Sequence, residues 1–297
     1  LKRASEGHVI AAHGRQYEVE LTDGSLLLCF TRGKRSHVAC GDRVVVEAAG
    51  KGQGVIVSVA PRRTLLYRSD VFRQKLIAAN ATQAVIVTAV KPSFSEELVS
   101  RCLVAAEHQG MRALLVLNKI DLPDGVEQAR ARLQPLRALG YQVVELHAKA
   151  TVAPLRPYLG GQLSVLVGQS GMGKSTIINA LIPGTRAATR EVSEALDSGK
   201  HTTTHTRLYR LDADSAVIDS PGMQEFGLAH LSEEELQQAF VEFRPYLGRC
   251  RFRDCHHDAE PGCAVRAACQ AGAVSEQRLA LFQSIRKANV EAARFFA

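Results

Sequence analysis

No stretch of this sequence is apolar for the roughly 18–20 residues that crossing a bilayer takes. The longest apolar runs, such as ALLVL at 113–117, have the length of a buried strand. The opening residues, LKRASEGHVI, lack the apolar core of a secretory signal, and the missing initiator Met is read as a trimmed start. There is no internal repeat and no low-complexity tract. Together these absences predict a cytoplasmic protein with no membrane partner. A disulfide framework is lacking too, because seven cysteines are an odd number for one, and Cys29, Cys40 and Cys102 are scattered as small buried hydrophobes would be. The other four, Cys250, Cys255, Cys263 and Cys269, fall within twenty residues, and a cluster of that kind asks for a metal. What is present is an ordinary globular composition, 46% hydrophobic and 23% charged. A length of 297 residues suits two or three domains rather than one small core. The net charge of +7 and pI of 9.1 fit a polyanionic partner.

Three segments follow from the patterning. In residues 1–66, the runs VIAAH, YEVEL, LLLCF, VVVEA and GVIVSVA are punctuated by turn signals such as DG at 23–24 and GD at 41–42. Five short strands without a helix-period stretch predict a small closed barrel of the oligonucleotide-binding (OB) type. Its basic run TRGKRSH at 31–37 reads either as a solvated hairpin tip or as a contact to a phosphate backbone. Residues 67–230 alternate continuous apolar runs (84–90, 113–118, 143–147, 163–168, 215–220) with helix-period segments, the pattern of a doubly wound α/β domain with a mostly parallel sheet. Residues 231–297 open on LSEEELQQAF, with Ser232 placed to cap a helix, pass through the Cys/His cluster and close on an amphipathic helical segment.

The chemistry lies in the middle segment. GQSGMGKS at 168–175 follows an apolar strand and precedes STIINALI, the context in which G-x-x-x-x-G-K-[ST] forms a phosphate cradle. Backbone N–H groups of Gly168, Gln169, Ser170, Gly171, Met172 and Gly173, with Lys174, Ser175 and Thr176 at the helix start, are predicted to surround the phosphates, with Lys174 reaching the β- and γ-phosphates and Ser175 on Mg²⁺. NKID at 118–121 also ends an apolar strand. Asn118, Lys119 and Asp121 are predicted to select guanine, because a carboxylate accepts from N1–H and the exocyclic amine, donors that adenine does not offer at that edge. HAK at 147–149 would set the Ala148 N–H and Lys149 beside the guanine oxygen. DSPG at 219–222 places Asp219 near Mg²⁺ and the Gly222 N–H at the γ-phosphate, while GKHTTTH at 199–205 offers Thr203 as a further metal ligand.

In an ordinary GTP-binding domain the phosphate loop precedes the guanine-reading element; here NKID comes first, so the domain is a circular permutation. Domain termini tend to lie close together, so such a cut leaves the packed sheet nearly intact. The loop at 219–227 then leads directly into the C-terminal segment, which nucleotide state is expected to move. The fold class expected is therefore α/β, a circularly permuted P-loop GTPase domain flanked by an N-terminal OB-type β-barrel and a C-terminal zinc-binding helical domain. Many GTPases place a Gln directly after the DxxG glycine to orient the attacking water. This chain has Met223 there and Gln224 one later, so intrinsic hydrolysis is expected to be slow. His201 and His205 are the candidates to orient water from within the chain, with Lys174 and Gly222 as the other catalytic groups. Cys250, Cys255, His257 and Cys263, spaced C-x4-C-x-H-x5-C, would close a tetrahedral zinc site with no open position.

The barrel, NKID ahead of GQSGMGKS, GKHTTTH, DSPGMQEFG and the Cys/His cluster, in that order over nearly the whole chain, resemble the small-ribosomal-subunit biogenesis GTPases. The resemblance implies a bacterial, cytoplasmic GTPase that uses GTP/GDP and Mg²⁺, holds one zinc ion, acts as a monomer, binds ribosomal RNA on the small subunit late in assembly, and hydrolyses GTP when stimulated by it. The departures are Thr82 in place of Asp, His147 in place of Ser in the Ser-Ala-Lys element, and Lys200 in place of Arg before HTTT. Other readings of the same residues are an RNA-binding module with a structural guanine nucleotide and a large-subunit assembly GTPase. A small-molecule kinase fits least, since nothing in the sequence forms an acceptor pocket.

Overall fold

The computed structural model describes residues 4–32, 37–69, 74–182, 184, 205–222 and 226–294. The first five strands are β1 (Ala4–His13), β2 (Gln16–Leu21), β3 (Leu26–Thr31), β4 (Arg43–Gly50) and β5 (Gln53–Val59). Buried positions recur at every second residue in β1, β2, β4 and β5, the period that one buried face imposes on a strand, although outward positions such as Leu26 and Val57 are themselves apolar. β1 pairs antiparallel with β2 and with β4, β2 with β3, β3 parallel with β5, and β5 antiparallel with β4, which closes the barrel. Val9, Tyr17, Val19, Cys29, Val44, Val46 and Ile56 fill it. At its base the fully buried Asp42 takes a two-pronged pair from Arg62 at 2.7 and 2.8 Å and the Ala39 N–H at 2.7 Å, so this buried charge is matched on both oxygens. β6 (Leu65–Ser69) and β7 (Gln74–Ala79) then form a separate antiparallel hairpin, an element the sequence pattern did not predict.

The α/β segment supplies β8 (Gln83–Ala89), α1 (Glu96–His108), β9 (Arg112–Asn118), α2 (Val126–Ala138), β10 (Gln142–Leu146), α3 (Arg156–Leu159), β11 (Leu163–Val167), α4 (Lys174–Leu181), β12 (Thr206–Arg210) and β13 (Ala216–Asp219). The sheet order is β10-β9-β8-β11-β13-β12, parallel except for the antiparallel β12. β11, which leads into the phosphate loop, lies between β8 and β13, so the strands on either side of it come from opposite ends of the segment. That arrangement is what lets the permuted chain build the same sheet. β12 also pairs with β1, Ala11 opposite Arg207 and Ala12 opposite Thr206, joining the barrel and the α/β sheet into one eleven-stranded sheet. Arg207 pairs with Glu18 at 3.0 Å, and Arg210 with Glu20, across this seam.

The C-terminal segment contributes α5 (Glu233–Ala239), α6 (Ala264–Gln270) and α7 (Glu276–Arg294). α5 opens with a capping box, in which Ser232 Oγ accepts from the Glu235 N–H and Glu235 returns to the Ser232 N–H. Phe240, Phe243, Phe282 and Ile285 belong to the same core cluster as Leu98, Val99 and Leu103 of α1, so the segment is packed onto the α/β layer. No described helix is long and apolar enough to cross a membrane.

Candidate functional site: a nucleotide cradle and a metal-type cluster

The loop after β11 turns into α4 through Gly173, whose φ of +96° falls in the left-handed region. A Cβ there would come within 2.3 Å of Asn118 Nδ2, so glycine lets the phosphate loop lie directly against the end of β9. Lys174 is 6% exposed and its Nζ donates to Gly168 O at 2.8 Å and Gln169 O at 2.9 Å, wrapped inside the loop it belongs to. Burial pushes this ammonium down to about 8, with Asp219 and Cys102 acting in the opposite direction. Ser175 and Thr176 stand in the first turn of α4. Gln169 Oε1 accepts from the Ser95 N–H at the start of α1, at 2.6 Å. Asp219 ends β13, is 2% exposed, and its Oδ1 is buried with no hydrogen-bond partner among the described residues. Burial pushes its carboxyl up to about 6, although Lys174 pulls the other way. A carboxylate oxygen left buried and bare beside an ammonium suits a cation or its water shell, so Mg²⁺ fits here. Gly222 lies directly against Ser170.

The residues expected to read guanine are tied to that cradle. Asn118 is 2% exposed, donates from Nδ2 to Met172 O at 3.0 Å and accepts the Ala148 N–H on Oδ1 at 3.1 Å. One side chain therefore links three loops, those after β9, β10 and β11. Lys119, at a φ of +61°, donates to Lys91 O at 2.7 Å and Gly171 O at 2.8 Å, a second strut to the phosphate loop. Burial, with help from Lys149, lowers its ammonium pKa. Asp121 stands 39% exposed, with His147 Nε2 3.5 Å from its carboxylate. Lys149 is exposed one residue past Ala148. The sequence placed these residues in one site but did not show that Asn118 and Lys119 brace the loops, nor that His147 flanks the carboxylate. His147 was visible only as a departure from Ser. Because the Asp121–His147 pair is part-exposed, its contribution is small: His147→Ala is expected to weaken GTP binding about two- to fivefold, measured by titration of a fluorescent guanine nucleotide. Thr203, His201, Lys200, Met223 and Gln224 lie outside the described residues.

A second constellation sits at the far end of the chain. The ligand atoms of Cys250, Cys255, His257 and Cys263 all lie within 4.8 Å of one another. His257 Nδ1 stands 3.7, 3.6 and 3.3 Å from the sulfurs of Cys250, Cys255 and Cys263. In a tetrahedral zinc site with ordinary bond lengths, the nitrogen–sulfur edge is about 3.5 Å. The donor set and its spacing therefore fit zinc. The Ala264 and Arg266 N–H groups point at the sulfurs of Cys250 and Cys263 at 3.3 and 3.4 Å, contacts that favour thiolates. Phe243 and Phe282 ring His257. Cys269 is not among the four.

The chain is similar to known proteins over nearly its whole length. The model of the RsgA GTPase family matches residues 59–229, which hold every nucleotide-site element above. A small ribosomal subunit biogenesis GTPase RsgA of Nitrosomonas europaea is 55% identical over 284 residues, covering 95% of this chain and 90% of that protein. One from Burkholderia pseudomallei is 54% identical over 286 residues, covering 95% and 91%. Among solved structures, YjeQ from Thermotoga maritima superposes with a TM-score of 0.74 at 30% identity over 98% of this chain and 99% of that one. YloQ, described as a circularly permuted GTPase, gives 0.68 at 27% identity over 96% of each. The permuted sheet, the cradle that NKID braces and these relatives agree: the chain belongs to the RsgA GTPase family and is a GTP-hydrolysing enzyme.

Proposed function

We propose that this GTPase works in small-ribosomal-subunit assembly, docking on the subunit through ribosomal RNA, hydrolysing GTP when the subunit stimulates it, and leaving afterwards. The observation that carries this reading is the tie of Asn118 to both Met172 and Ala148, which builds a guanine site and a phosphate cradle as one unit, in a chain whose relatives are named for small-subunit biogenesis. In this reading Asp121 reads the guanine edge, with Ala148 and Lys149 beside it, and Lys174 and the backbone of 168–176 hold the phosphates. Asp219, Ser175 and Thr203 would hold Mg²⁺, which when bound neutralises the charge that grows on the phosphate oxygens. Gly222 presents its N–H to the γ-phosphate, and His201 orients the water. Cys250, Cys255, His257 and Cys263 would hold one structural zinc. The barrel of 1–66 and the segment of 231–297 flank the catalytic domain of 67–230 and grip RNA by Lys and Arg contacts that weaken with salt. The setting is the cytoplasm and the working form a monomer.

The test is steady-state GTP hydrolysis by the zinc-replete protein alone, with isolated small subunits, and with large subunits at matched salt. Small subunits are expected to raise the rate by at least about tenfold, well below what a group supplied in trans gives some GTPases. Equal stimulation by large subunits, or none by either, would overturn the reading.

A further inference from the structure

Between Cys250 and Cys255 the chain makes a four-residue excursion, Arg251-Phe252-Arg253-Asp254, and all four residues are exposed. The excursion is fastened at its root. Arg251 donates its N–H to Gly262 O at 3.0 Å, and a Cβ at Gly262, whose φ is +75°, would come within 2.9 Å of Arg251 Cβ. Two members of the Cys/His cluster bracket it. The backbone of the loop is thereby anchored beside the Cys/His cluster.

Among the described residues, the large apolar side chains left exposed are Leu26, Val57, Phe252 and Val290, and only Phe252 is aromatic. Phe252 is 42% exposed and belongs to neither core cluster. The Arg251 guanidinium lies 5.6 Å from the ring centroid. Arg249 and Arg253 are exposed on either side in sequence, so residues 249–254 carry three arginines against the one carboxylate of Asp254. An open aromatic ring on an arginine-rich loop is the combination that binds single-stranded nucleic acid, the ring taking a base face and the cations taking phosphates. A docking protein would also cover the ring, but three exposed arginines within residues 249–253 call for a polyanion, and nothing on the loop offers a partner β-edge or an apolar groove.

We infer that Phe252 is a base-stacking platform on which an unpaired RNA nucleotide packs, with Arg249, Arg251 and Arg253 holding the flanking phosphates. This rests on the reading that the chain engages RNA, and assigns to one loop a site for single-stranded rather than duplex RNA.

The chain has no tryptophan, so the full-length Phe252→Trp variant carries a single reporter at the site. Its emission is expected to be quenched, saturably, by a short unstructured oligoadenylate. Phe252→Leu keeps the apolar bulk and loses the ring face. It is expected to bind the same probe about five- to a hundredfold more weakly, with an unchanged dependence on salt. Arg253→Gln should instead lower the slope of log affinity against log salt by about 0.7. Zinc content and GTP hydrolysis without subunits are read in each variant to show that the loop and the enzyme are intact. An unquenched Trp reporter together with full binding by Phe252→Leu would overturn the assignment. So would a reporter that responds to small subunits but to no RNA probe, which would set a protein against the ring. Failure of subunits to stimulate wild-type hydrolysis, with quenching by the oligonucleotide intact, would overturn the ribosomal reading while leaving this site standing.

Discussion

Replacing Asp121 with Asn is expected to lower the affinity for GTP by about a hundredfold or more and to raise that for xanthosine triphosphate. Guanine presents two donors at this edge, N1–H and the 2-amine, and the carboxylate has an acceptor oxygen for each. An amide keeps one acceptor and turns the other into a donor, so the 2-amine meets an N–H. The lost charge-assisted bond and the unpaired donor together cost about 3 kcal/mol, which converts to the factor above. Xanthine carries a carbonyl where guanine carries the amine, so the amide of Asn matches it on both positions. Asp121 is 39% exposed in the structure, so the effect is felt only when the base covers the carboxylate and should appear in binding rather than in stability. Competition of the two triphosphates against a fluorescent guanine nucleotide reads it. Unchanged GTP affinity in a folded variant would show that the base is read elsewhere.

Glu242→Ala is expected to destabilise the protein by about 3–5 kcal/mol, the cost of leaving a buried charge without its partner. Arg278 enters from α7 with its side chain 5% exposed, and Glu242 meets it at 2.5 Å with 3% exposed. Arg278 also donates to Ser100 Oγ on α1 at 2.9 Å, and its guanidinium lies 4.6 Å from the centre of the Phe240 ring. This cation therefore joins the C-terminal segment to the first helix of the α/β layer. Without Glu242 the guanidinium stays in the same apolar surroundings with a hydroxyl and a ring for company. In a chain of this size the melting temperature should fall on the order of 10 °C. The double variant Glu242→Leu with Arg278→Met removes both charges and fills the volume, and should recover most of the loss. Thermal melts of the single and double variants decide the matter: a single variant as stable as wild type would mean that water reaches the pair.

Much of the site was legible because its signals are local. GQSGMGKS, NKID and DSPG each sit at the end of an apolar strand, and a strand followed by a short polar loop is encoded by neighbours a few residues apart. The same holds for the Cys/His spacing, for the five barrel strands and for the capping box at Ser232. The β6–β7 hairpin was missed because residues 70–73 carry no two-residue turn signal between its strands, and β12 because TRLYR is too short for its alternation to stand out from the loop before it.

By itself, then, the sequence singled out the candidate nucleotide and metal residues and determined that the domain is permuted, since order along the chain is all that a permutation changes. Only the tertiary structure decided how those residues hold one another. Asn118 reaches Met172 across 54 positions, Glu242 reaches Arg278 across 36, and Ser100 reaches Arg278 across 178. β1 meets β12 at the seam that makes the barrel and the α/β layer one sheet. Contacts over such separations follow from which faces are left to be buried once the local elements have formed, and periodicity within a window of residues does not contain that information.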